Sequence, residues 1–236
     1  MPTAIVTGAS RGLGRALSEA LLERGWTVVV DARHAVDLEA AGLGGHAGRA
    51  ITIAGDVTDA GHRFDLVDAA LANGGLDLVV NNASELGPSP LPSLAAIGLD
   101  ALTRIYDTNV VAPLALVQVA LPHLRAAGGA VLNVSSDAAV EAYEGWGGYG
   151  SSKAALDHAS AVLAQEEPAV RVWWVDPGDM RTEMHQAAFP GEDISDRPLP
   201  AERVPGLLRL VDERLPSGRY QAEVLLEGAS TPVASG

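Results

Sequence analysis

Six short apolar runs, rich in β-branched residues, alternate with longer stretches of helical periodicity, and this alternation restricts the fold more than any other feature of the chain. TAIVT (Thr3 to Thr7), WTVVVD (Trp26 to Asp31), AITIAGDV (Ala50 to Val57), LDLVVN (Leu76 to Asn81), AVLNVS (Ala130 to Ser135) and VRVWWVD (Val170 to Asp176) are nearly continuous in apolar residues. Such runs suit strands buried on both faces. Between the first two, Leu13, Ala16, Leu17, Ala20, Leu21 and Arg24 mark a helix that Gly25 stops. A short helix fits between Ala35 and Gly48, and Thr58 is placed to cap another that runs to about Ala72. Further helices are expected from Asp100 to Val111, from Pro113 to Ala127 and from Tyr149 to Gln165. Right-handed strand–helix–strand crossovers then give an α/β fold, a doubly wound parallel sheet with helices on both faces. RYQAEVLLEGAS supplies a last strand, about seven in all. No linker, repeat or low-complexity tract interrupts residues 1–236, so one domain is expected. Trp173 and Trp174 are strand neighbours, which places them on opposite faces in the core.

Composition removes several classes of function. With 47% apolar and 19% charged residues the chain reads as globular. It has no uninterrupted run of 18 apolar residues, and MPTAIVTGAS lacks a basic stretch before an apolar one, so neither a membrane span nor a secretory leader is expected and the cytoplasm is the default compartment. The absence of cysteine excludes disulfides, thiolate metal sites and cysteine nucleophiles. A net charge of −14 disfavours nucleic acid and anionic lipid as partners. None of the six histidines has metal-ligand spacing, so no metal is expected, and His34, His46 and His62 are read as solvent-facing. The basic residues are fifteen arginines and a single lysine, Lys153.

The first strand runs directly into TGASRGLG, with Gly8, Gly12 and Gly14 opening the first helix. A strand–glycine turn–helix junction is where a dinucleotide pyrophosphate approaches main-chain N–H groups. The lysine falls four residues after Tyr149; with four tyrosines in the chain, chance alone would place it so in about 2% of arrangements. Ser136 lies thirteen residues before that tyrosine. Residues at i and i+4 share a helix face, so Lys153 stands beside Tyr149. A phenol with an ordinary pKa near 10 needs help to exchange protons at neutrality. A neighbouring ammonium lowers it, and a helix start at Gly147 and Gly148 acts in the same sense.

Together these segments resemble the short-chain dehydrogenase/reductase family over roughly Thr3 to Met184, and imply its Rossmann-like fold. TGASRGLG is similar to the family's cofactor turn, Asp56-Val57 to its adenine contact, NNAS (Asn81 to Ser84) to N-N-A-G, YGSSK (Tyr149 to Lys153) to Y-x-x-x-K and PGDMRT (Pro177 to Thr182) to P-G-x-x-x-T. The resemblance implies a catalytic set of Asn109, Ser136, Tyr149 and Lys153. Tyr149 would protonate a carbonyl oxygen as hydride arrives, Ser136 would hydrogen-bond that oxygen, Lys153 would hold the nicotinamide ribose, and Asn109 would position a relay water. Ser135 is the fallback for Ser136. Cofactor contacts would come from Gly8, Ser10, Arg11, Gly12, Leu13, Gly14, Arg33, Asp56, Val57, Asn82, Ala83, Tyr149, Lys153, Pro177, Gly178 and Thr182. Three features depart from the family pattern: Ser84 stands where glycine is usual and is expected to shift its loop, the second helix is short, and the acid–glycine ending is missing.

The cofactor is read as NADP(H), with NAD(H) the alternative. Arg33, just beyond the second strand, and Arg11, in the glycine turn, suit a 2′-phosphate, whereas Asp31 suits a ribose diol or an ion pair with Arg33. Glu141, Tyr143, Glu144 and Trp146 are positioned to line a substrate pocket. Substrate contacts are assigned to Ser136, Tyr143, Trp146 and Tyr149, and residues 184–205 to a lid. Pro113 to Leu124 is apolar on nearly every side, apart from Gln118 and His123, so its outer face predicts a homodimer or homotetramer. The expected activity is hydride transfer between NADPH and a small-molecule carbonyl or secondary alcohol. NAD-dependent dehydrogenation, a non-redox epimerase or dehydratase, and a cofactor-sensing binding protein are the alternatives.

Overall fold

A computed structural model describes residues 1–45, 48–228 and 230–232. Seven strands form one sheet: β1 (Thr3–Val6), β2 (Thr27–Ala32), β3 (Ala50–Ala54), β4 (Leu78–Asn81), β5 (Ala130–Val134), β6 (Arg171–Asp176) and β7 (Gly218–Gln221). Their order is β3-β2-β1-β4-β5-β6-β7, every pairing parallel. The chain winds outward from β1 in one direction and from β4 in the other, so a crevice opens between them at the carboxyl ends of the strands. The helices are α1 (Gly12–Glu23), α2 (Ala35–Ala40), α3 (Ala60–Ala72), α4 (Leu99–Tyr106), α5 (Ala112–Ala127), α6 (Gly147–Glu166), α7 (Glu183–Ala188), α8 (Pro200–Asp212) and α9 (Ala222–Leu226).

Strand alternation sorts side chains into two cores. Ala4, Val6, Val28, Val30 and Trp173 pack with Leu17 and Leu21 of α1, Leu207 and Leu210 of α8, and Tyr220. Ile5, Val29, Val79, Val131 and Trp174 pack with Leu66 of α3 and with Leu116, Ala120 and Leu124 of α5. The tandem tryptophans thus face opposite sides, as a period of two requires.

Four sequence expectations are corrected. His62 is buried, and its Nε2 lies 3.0 Å from Asp31 Oδ2, because α3 lays its first turn against β2. His34 is exposed, and His46 lies outside the described residues. The cap of α3 is Asp59, whose Oδ1 accepts the Gly61 N–H at 2.7 Å, while Thr58 bonds Asp56. The expected break before Pro113 is instead a π turn over Asp107–Val111, making Leu99–Ala127 one continuous helix. Pro113 has no N–H to return to the Asn109 carbonyl, and the wider turn absorbs that loss without ending the helix. By length and composition this helix is apolar enough to cross a membrane, but one of its sides is built into the core beneath the sheet. At the carboxyl end only RYQ belongs to a strand; the following AEVLL is helical.

Candidate active site

The cleft above β1 and β4 has a volume of about 1070 Å³ and runs from Arg33 and Asp56 at one end to Trp146 and Tyr149 at the other. Two of the three turn glycines are required by packing within the protein. A Cβ on Gly8 would lie 2.8 Å from Ala83 Cα, and one on Gly14 would overlap the Asn82 side chain. Gly12, with φ of +58°, is the one whose missing Cβ leaves room in the cleft, the nearest neighbour being Thr182 Cγ2 at 3.7 Å. Asn82 ties the turn to the β4 loop through the carbonyls of Thr7 (2.8 Å) and Gly8 (3.0 Å), and the Ala83 N–H donates to Thr7 Oγ1 at 3.0 Å. No side chain caps α1, so its first N–H groups are left to the cleft beside Ser10, Arg11 and Leu13. That cradle fits a pyrophosphate.

Asp31 neither pairs with Arg33 nor faces the cleft with a free oxygen. Its Oδ1 accepts the Gly8 N–H at 2.6 Å, and its Oδ2 meets His62. Arg33 lies instead 3.9 Å from Glu85, and Arg11 pairs with Glu183 across the cleft mouth. Both guanidiniums are exposed and line the cleft. Burial works to raise the Asp56 pKa, but the N–H and hydroxyl of Thr58, with Arg33 and His62 nearby, hold it below its ordinary value. Val57 borders the same end. Pro177 and Gly178 also line the cleft; the Gly178 N–H donates to Asp176 at 2.9 Å, and the Thr182 hydroxyl caps α7 by accepting from His185 at 3.1 Å.

At the other end, α6 begins at Gly147 and places Tyr149 and Lys153 one turn apart, the ammonium 5.5 Å from the phenol ring centroid. Burial pushes the Tyr149 pKa up, hydrogen bonds with the Ser84 and Ser136 hydroxyls pull against it, and the Asp176 and Asp137 carboxylates add to the rise. The expected help from Lys153 is therefore not what restrains the phenol: the ammonium sits under the ring and donates to the Val134 carbonyl at 2.8 Å. The Ser136 hydroxyl donates to Asp137 Oδ1 at 2.9 Å, whereas the Ser135 hydroxyl is turned inward to Asp157 at 2.5 Å.

Asn109 is fully buried and does not line the cleft. Its Oδ1 accepts from the Ser84 hydroxyl (3.1 Å) and the Glu85 N–H (2.7 Å), and its Nδ2 donates to the Glu85 carbonyl and to Ser152, both at 2.9 Å. Its side chain is thus a clamp between α6 and the β4 loop. The Ser84 hydroxyl is one of the clamp's bonds. Trp146 lines the cleft edge-on to Tyr149, with ring centroids 5.7 Å apart, and also approaches Phe189. Tyr143, Glu141 and Glu144 do not line it; Tyr143 is half-exposed and donates to Asp137 at 3.0 Å, since the loop before α6 turns outward. Of residues 184–205, Met184, His185, Ala187, Leu199, Pro200 and Ala201 border the cleft, and the last part of the stretch is the start of α8.

Sequence reasoning missed Asp157 and Arg219, which are buried together behind Ser136 with Arg219 Nε 3.1 Å from Asp157 Oδ2. Asp157 carried a signal, standing four residues after Lys153 in a helix, whereas Arg219 lies 62 residues from its partner and had none. Among the described residues no group of three or more His, Asp or Glu is disposed to hold a metal ion.

A parallel α/β sheet with a glycine turn at its switch point and a Ser–Tyr–Lys cluster at the far end of the cleft defines a nicotinamide-dependent oxidoreductase class, and residues 2–193 match the family model for short chain dehydrogenases. The chain belongs to that family, whose members bind NAD(P)(H). It is 37% identical over 183 residues to the uncharacterized oxidoreductase YIR035C of Saccharomyces cerevisiae, covering 76% of this chain and 71% of the other. The crystal structure of YIR035C superposes with a TM-score of 0.85 at 27% identity, covering 96% and 99% of the two chains. A benzil reductase ((S)-benzoin forming) of the same yeast is 34% identical over 191 residues, covering 77% and 73%. A short chain dehydrogenase of Shigella flexneri, solved in complex with NADP, superposes with a TM-score of 0.87 at 29% identity over 94% and 97% of the chains.

Proposed function

We propose that the chain is an NADP(H)-dependent carbonyl reductase in which Tyr149 is the proton donor. The observation that carries this is the gathering of Tyr149 and Ser136 along one cleft, with the chain's sole lysine buried beneath the Tyr149 ring. When bound, the reduced nicotinamide supplies hydride. Ser136 holds the carbonyl oxygen, and Tyr149 donates its proton to that oxygen as negative charge develops there. Burial keeps the phenol protonated, which suits the reducing direction. Lys153 holds the nicotinamide ribose, and any relay through Asn109 runs through its main-chain carbonyl, since four contacts consume its side chain. Trp146 walls the substrate space, and residues 184–205 cover the cleft mouth as a lid.

The preference for NADP(H) is supported by the two exposed guanidiniums of Arg11 and Arg33 and by the engagement of both Asp31 oxygens inside the protein. A carboxylate so occupied is a poorer acceptor for a ribose diol than one with both oxygens unengaged. The complex of the Shigella protein with NADP points the same way, and the naming of a yeast relative as a benzil reductase supports a carbonyl substrate. NADPH consumption with a panel of ketones, lost in Tyr149→Phe while NADPH still binds, is the expected result; turnover surviving in Tyr149→Phe defeats the assignment.

We also propose a homodimer or homotetramer. Val111 is 55% exposed and Leu114 is only half-buried on the long apolar helix, neither of them part of the core beneath the sheet. Light scattering should give a multiple of 24.3 kDa; a single-chain mass at micromolar concentration rules the assembly out.

A further inference from the structure

Three consecutive residues at the end of β5 are each held from behind by a charged group. The Val134 carbonyl accepts from Lys153 at 2.8 Å, the Ser135 hydroxyl donates to Asp157 at 2.5 Å, and the Ser136 carbonyl accepts from Arg219 Nη2 at 3.0 Å. The three charges are themselves connected. Arg219 Nε donates to Asp157 Oδ2 at 3.1 Å, and Asp157 stands one helical turn beyond Lys153 on α6. All are removed from water, with Lys153 2%, Arg219 5% and Asp157 8% exposed. Burying an arginine and a carboxylate is costly unless each is paired and hydrogen-bonded. Here the pair sits directly behind the candidate catalytic serine and lysine.

We propose, resting on the reductase reading above, that Asp157 and Arg219 are positioning residues: Arg219 fixes the Ser136 main chain at the cleft end that holds Tyr149, and Asp157 keeps Lys153 in its ammonium form beneath the ring. The electrostatics agree with the geometry. Burial pushes the Lys153 pKa down to about 8, and Asp157 is the group that opposes this. Burial raises the pKa of Asp157, against Ser135, Arg219 and Lys153. The other charged or titratable groups at this end of the cleft are Tyr149, whose ring lies over the ammonium, Arg219 on β7, which is bound to Asp157, Asp176 at the end of β6 and Asp137 after β5. Asp176 and Asp137 act on the Tyr149 phenol.

Lys153 is the only lysine, so full-length protein grown with [ε-13C]lysine gives one side-chain resonance whose pH titration reads that amine alone. The wild type should titrate near pH 8, and Asp157→Asn should move the midpoint down by about one pH unit. A purely structural role would admit water and move it up toward 10.5; that result, or no shift, overturns the proposal. If Asp157→Asn does not fold, Asp157→Asn/Arg219→Met removes the uncompensated guanidinium, and a downward shift, smaller because a neighbouring cation is also lost, is required of it. For Arg219, kcat for carbonyl reduction should fall about tenfold in Arg219→Gln with KM for NADPH unchanged, and Arg219→Lys should restore most of it. An unchanged kcat, or a loss carried by KM, overturns that half. The lysine titration needs no substrate, so a wild type inactive on every ketone defeats the reductase reading without touching this result.

Discussion

Asp31 and Asp157 are both buried carboxylates, one in each half of the sheet, and they are built for different tasks. Asp31 meets a main-chain N–H and an imidazole nitrogen, and what it stabilises is the shape of the glycine turn. Asp157 meets a serine hydroxyl and a guanidinium with an ammonium one turn away, and what it stabilises is charge. The first half of the cleft is therefore held by geometry that survives loss of charge, whereas the second depends on ionisation. Isosteric neutral substitutions should separate the two halves cleanly.

The largest effect is expected at Lys153. Its folded-state pKa of about 8 lies below the ordinary 10.5, so between those values the unfolded chain binds a proton that the folded chain does not. Stability then rises with pH across that window, and below about pH 8 the whole penalty is present, as much as about 3 kcal/mol. Lys153→Met should lower kcat by about 100-fold or more while raising Tm at pH 7 and flattening the rise in Tm from pH 8 to 10. A Tm that falls at pH 7 would contradict the buried-ammonium account.

A smaller effect is expected at Asp31. Asp31→Ala leaves the Gly8 N–H and His62 without their acceptor, at a cost of about 1–3 kcal/mol by urea denaturation, with weaker cofactor binding. Asp31→Asn keeps an oxygen for Gly8 and, with the His62 proton moved to Nδ1, an N–H for its Nε2, and should lie within about 0.5 kcal/mol of the wild type. Equal losses in the two variants would mean that the charge, and not the shape, holds the turn. The smallest effect is at Arg33, exposed and facing Glu85. Arg33→Ala should raise the Kd for NADPH about tenfold, as loss of one charge-assisted contact requires, and leave NADH unchanged in a fluorescence titration. Parallel changes for both cofactors would remove Arg33 from the 2′-phosphate site.

The glycine turn, Ser136, Tyr149 and Lys153 were legible because their spacing is local, a strand-to-helix junction in one case and one helical turn in another. The choice of Ser136 over Ser135 followed from an offset of thirteen residues; both border the cleft, and the Ser135 hydroxyl is turned inward onto Asp157. Tyr143 was misread because chain proximity to Tyr149 does not set loop direction. His62 was misread because a polar residue in the first turn of a helix looks solvated until the partner strand is known.

Order and type of the strands, the sites of the helices and the identity of the cleft end were written in the chain itself, since apolar runs, i,i+4 spacing and glycine junctions act over a few residues. Which carboxylate is free, which arginine is buried and what surrounds the ammonium were decided only when β7 came to lie beside β6 and α3 beside β2. Those contacts join residues tens of positions apart, and burial, which sets the worth of a charge, exists only once the sheet is assembled.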